Sequence, residues 1–104
     1  MSKRTRHDEL FAAMEASLLG ARGVAPVELR KAAIAGKVDD AALQTYVSKV
    51  QAAAYTVTAD ELKALQSKYS DDQLFDVTLC AGYGAAKQRH EAAMKHLDAA
   101  WEEP

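Results

Sequence analysis

The chain has one cysteine, two prolines, few aromatic residues and no long apolar run in its 104 residues. Each scarcity excludes something. With Cys80 alone, no disulfide can close within the chain, and a Cys-rich zinc site or a redox cysteine pair is excluded. No stretch approaches the roughly 20 apolar residues that a membrane span needs, and the N-terminus lacks the apolar core of a signal peptide. The expectation is a cytoplasmic protein with no membrane partner. A net charge of −2 supplies no footprint for nucleic acid. The basic tip Lys3, Arg4, Arg6 is a small exception and reads as part of a flexible, solvated tail over residues 1–7. Aromatics make up only 7% of the residues, while alanine is abundant, and both facts favour helices over strands.

What is present is helical punctuation. Leu10, Phe11, Met14, Leu18 and Leu19 recur at helical spacing, predicting a helix from Asp8 to Leu19 that Gly20 and Gly23 stop. Pro26 suits the first position of a second, short helix, because its missing N–H would be unpaired there in any case; Gly36 ends it. Asp39 or Asp40 can cap a third helix whose apolar face is Leu43, Tyr46, Val47 and Val50. Tyr55-Thr56-Val57 reads as an extended connector. A fourth helix opens on a capping box, Thr58 with Glu61, and buries Leu62 and Leu65.

The fifth segment is the most informative. Ser70 and Gln73 form a second capping box, and Asp71 and Asp72 place negative charge at the positive end of the helix dipole. No proline follows until Pro104. About thirty helical residues span about 45 Å, whereas a compact domain of this length has a radius of gyration near 13 Å. Such a helix must project or find a partner. Phe75, Leu79, Tyr83, Ala86, His90, Met94, Leu97 and Trp101 recur at spacings of three and four, an apolar stripe that implies a partner subunit. Mid-helix glycines at 82 and 84 each cost about 1 kcal/mol relative to alanine, a cost that a closely approaching neighbour helix would offset.

The run VTADELKALQSKYSDDQLFDVTLCAGYGAAKQR resembles the carboxymuconolactone decarboxylase and alkylhydroperoxidase D-like (AhpD-like) superfamily. It shows a Val-Thr-capped helix with a buried Leu, a turn, a Ser-Asp-Asp-Gln-Leu-Phe start, and an Ala-rich helix reaching Arg89. ALQTYVSKVQAAAYTV resembles the connecting helix of that family, and the likeness covers residues 40–97. It implies a single all-α, AhpD-like helical domain over residues 1–104, with about five helices, a long C-terminal one, and assembly into homo-oligomers. The departures matter for chemistry. Redox-active members carry a Cys-x-x-Cys pair, but Val77 and Tyr83 stand three residues either side of Cys80. Lys68 replaces the usual glycine of the turn. No acid–base residues of the decarboxylase branch can be matched. The expected function is therefore a non-redox oligomeric structural or interaction module. The alternative is an enzyme or small-molecule-binding protein with a pocket between subunits, using acid–base chemistry or a single-cysteine peroxidase reaction.

Asp76, Cys80, Tyr83 and Lys87 are the candidate catalytic residues, with His90 beside them. Spacings of four, three and four set the first four in one column, and a carboxylate, thiol, phenol and amine along one groove could move a proton on a small substrate. The plainer reading is a polar column beside an interface. Cys80 lies more than two turns inside its helix with no near cation in sequence, which favours an inert thiol. Arg89 is expected to pair with Asp60 or Glu61. His90 and His96 are six residues apart and fall on different faces, so no metal is expected. Gly82 and Gly84 sit inside a helix rather than in a phosphate loop, and no cofactor is expected.

Overall fold

The computed structural model describes residues 3–20 and 23–102; the side chains of residues 3–7, 101 and 102, among them Lys3, Arg4, Arg6 and Trp101, lie outside the described residues. Five α-helices follow one another: α1 Lys3–Leu18, α2 Val27–Ala35, α3 Ala41–Ala53, α4 Ala59–Gln66 and α5 Asp71–Glu102. No strand occurs among the described residues, and none of the described helices is long and apolar enough to cross a membrane. Helix α1 begins at Lys3, ahead of the expected start at Asp8.

The local signals account for most boundaries. Asp40 caps α3, its Oδ1 accepting from the Ala42 and Leu43 amides. Gly36 ends α2 at φ 80°, and its amide and that of Lys37 return to the carbonyls of Ala33 and Ala32. This left-handed closure favours glycine. The box at α5 forms both ways: the Gln73 amide donates to Ser70 Oγ at 3.1 Å, and the Ser70 amide to Gln73 Oε1 at 3.0 Å.

Four expectations need correction. Pro26 is the N-cap of α2, one position before the helix. Ala54–Thr56 form a 3₁₀ turn with only Val57 extended, because the Val57 amide returns to the Ala54 carbonyl. At α4, Thr58 accepts from the Glu61 amide at 3.2 Å. The Glu61 carboxylate does not return to Thr58, however; it pairs with Lys49 of α3. Arg89 meets neither Asp60 nor Glu61 but donates to the Gln51 carbonyl at 2.7 Å.

Helix α5 is the spine. Helix α2 makes the most extensive contact with it, followed by α3 and then α1, while α4 packs on α3. Leu43 and Val47 of α3, Leu65 of α4, and Val77 and Cys80 of α5 are the largest fully enclosed side chains, with Ala33, Ile34, Tyr46, Leu74 and Ala81 around them. Each such aliphatic side chain contributes on the order of 1.5–3 kcal/mol. Tyr46 donates to Thr78 Oγ1 at 2.6 Å, and Thr78 donates onward to the Leu74 carbonyl at 2.7 Å, tying α3 to α5. At Gly84 the helices touch through backbone: a Cβ there would lie 2.0 Å from the Ile34 carbonyl oxygen. The radius of gyration is 16.0 Å with extents of 56 × 30 × 20 Å. That exceeds the value of about 13 Å for a compact chain of this length, because α5 outruns the helices that cover it.

Candidate functional site

The column on α5 meets α1 and the loop that joins α1 to α2. Helix α1 runs antiparallel to α5: Phe11 stacks beside Tyr83 and His90, with centroid separations of 6.0 and 4.7 Å. Glu15 reaches Lys87, and Leu18 and Thr78 border the same groove farther down. Asp76 Oδ2 accepts from the backbone amides of Val24 and Ala25 at 2.6 and 3.0 Å, so its carboxylate anchors the loop. Cys80 is 1% exposed within the core. Desolvation pushes its thiol up from the ordinary value; the nearby Arg30 guanidinium works against that rise and Asp76 adds to it. A protonated thiol is a poor nucleophile. Tyr83 donates to the Phe11 carbonyl at 2.8 Å. Burial raises its hydroxyl, with Glu15 adding to the effect. Lys87 Nζ lies 3.4 Å from Glu15 Oε2.

The five residues thus share a seam but not a cavity. Asp76 is half-buried under the loop, and Cys80 is closed in by the core. Tyr83 lines an open, apolar groove of about 560 Å³ between α1 and α5, with Met14, Leu18, Leu79, Gly82 and Ala86. Lys87 and His90 line a polar cleft of about 250 Å³ with Asp8, Glu15 and Glu91. Among the described residues no three His, Cys, Asp or Glu side chains gather to hold a metal ion.

Arg30 completes the seam and is missing from the sequence-based candidates. Only 3% exposed, it donates from Nε to the Ala25 carbonyl at 2.9 Å and from Nη1 to the Leu18 and Gly20 carbonyls at 2.8 Å each. It caps the end of α1 from α2. A signal existed: Arg30 shares the i, i+3, i+4 face of Ala33 and Ile34, where a charged residue must bring partners with it.

A separate cluster joins α3 to the turn before α5. Tyr69 donates to Asp40 Oδ2 at 2.8 Å, and Lys68 lies 3.4 Å from the same oxygen. The Tyr69 hydrogen bond, foremost among several causes, holds the Asp40 carboxyl below its ordinary value. Burial and then Asp40 itself raise Tyr69. Both shifts keep the pair as carboxylate and neutral phenol.

No family model, curated protein or solved structure matches the chain.

Proposed function

We propose that the chain is a non-redox, homo-oligomeric structural or interaction module of the alkylhydroperoxidase D-like kind, whose working surface is the open face of α5. The observation that carries this reading is the exposure of large apolar side chains along one helix: Phe75 at 63%, Leu79 at 46% and Leu97 at 47%. A row of such side chains in water is the mark of a contact surface. The solitary, core-bound Cys80 agrees with a module that lacks thiol chemistry. Sedimentation velocity over a hundredfold concentration range, joined to native mass spectrometry, tests it. A discrete oligomer with a mass equal to its subunits is expected; a monomer at every concentration overturns it.

The groove of about 560 Å³ supports a second reading, a small-molecule-binding protein or enzyme using that groove at a subunit boundary. Its apolar walls would take an apolar ligand, and Tyr83, Thr78 and Ser17 would be its polar groups. A fixed extra mass per subunit in the native spectrum is the expected sign, and its absence after gentle isolation counts against this reading.

A further inference from the structure

We propose that α5 pairs antiparallel with α5 of a second copy of the chain, about a two-fold axis at Gly82. The proposal rests on the self-association reading above and names its surface. Gly82 is exposed, and a Cβ built on it meets nothing within 4 Å. Within one chain this mid-helix glycine has no packing reason, unlike Gly84. Around it lie Phe75, Leu79 and Ala86 at spacings of three and four, a left-handed seam in which each side chain can enter a hole on the facing helix.

Charge selects the direction. An in-register parallel pair would set Asp71 and Asp72 against their own copies and Arg89 against Arg89, and like charges repel at each of these positions. The antiparallel pair about Gly82 brings Leu79 to within one residue, about 1.5 Å along the axis, of Ala86 and sets Phe75 opposite Arg89. It sets Asp71 and Asp72 opposite Ala93 and Ala92, between Arg89 and His96 of the second copy. The acidic start of each helix then lies near Arg89 of the other, which keeps its bond to the Gln51 carbonyl, and the two dipoles oppose. Such an interface is isologous and closes on itself. Leu79 of the second copy enters the groove beside Met14, whose side chain is 43% exposed.

Cysteine cross-linking tests the register. Positions 79 and 86 face each other across the axis, within disulfide reach. Copies of position 79 lie about 9 Å apart along the axis, and copies of position 86 about 12 Å, beyond reach. Mixed Leu79→Cys and Ala86→Cys chains are expected to oxidise into a heterodimer in excess of either homodimer, with the unaltered chain, whose Cys80 is 1% exposed, as control. Gly82→Leu is expected to weaken association at least tenfold in sedimentation while far-ultraviolet helicity is retained. A predominant Leu79→Cys homodimer overturns the antiparallel register. A persistent oligomer with no cross-link, or one indifferent to Gly82→Leu, overturns this surface but leaves self-association standing. A monomer at all concentrations overturns both, and a monomer that retains a fixed extra mass assigns the groove to a ligand instead.

Discussion

Gly82 and Gly84 stand two residues apart on one helix and have opposite surroundings. Gly84 is enclosed, with the backbone of α2 so close that a single added carbon would collide with the Ile34 carbonyl. Gly82 faces open space. The same residue type thus marks a contact made within the chain on one side of α5 and, in our proposal, a contact made between chains on the other. A helix of 32 residues can serve both, because its inner face is satisfied by α2 and α3 over only part of its length.

The most disruptive way to probe this contrast is Gly84→Ala. The obstructing atom is backbone rather than a flexible side-chain end, so α2 must shift as a body. A loss of about 3 kcal/mol, at the upper end for overpacking, is expected in urea denaturation. Arg30→Met comes next. It leaves the carbonyls of Leu18, Gly20 and Ala25 without their donor, at a cost of about 2 kcal/mol. It should also raise amide exchange in α1 before the rest of the chain. Gly82→Ala carries the opposite sign. Measured below the concentration of assembly, it should stabilise the chain by up to about 1 kcal/mol through helix propensity. Destabilisation there would show that Gly82 has an intrachain role and would erase the contrast.

The smallest effect concerns pH. The folded Asp40 carboxyl titrates below its ordinary value of 3.8, chiefly through Tyr69. Its stabilisation is therefore complete above the ordinary carboxylate range and is lost as pH falls through that range to the lower folded value. Between pH 7 and about pH 3, Tm should fall further in the unaltered chain than in Tyr69→Phe, which lacks the hydrogen bond. Equal slopes would remove Tyr69 as the cause.

The caps were legible because their partners lie within four residues: Ser70 with Gln73, Asp40 with Leu43, Gly36 with the last turn of α2. The helix count and the length of α5 followed from them. The long-range pairings were not legible. Glu61 chose Lys49, twelve residues back, over its own helix start, and Arg89 chose a carbonyl 38 residues away. Nothing local distinguishes these partners from others of equal charge. The column from Asp76 to His90 was readable as a shared face. What it would face was not, because that depends on where the α1–α2 loop arrives.

That loop is gripped by two ions that never meet. Asp76 on α5 takes its N–H groups at 24 and 25, and Arg30 on α2 takes carbonyls at 18, 20 and 25. Peptide dipoles lie between the opposite charges, and every bond in the grip is to main chain. The grip depends on where the main chain lies rather than on which side chains it carries: Val24, 56% exposed, can change its side chain without loosening either ion.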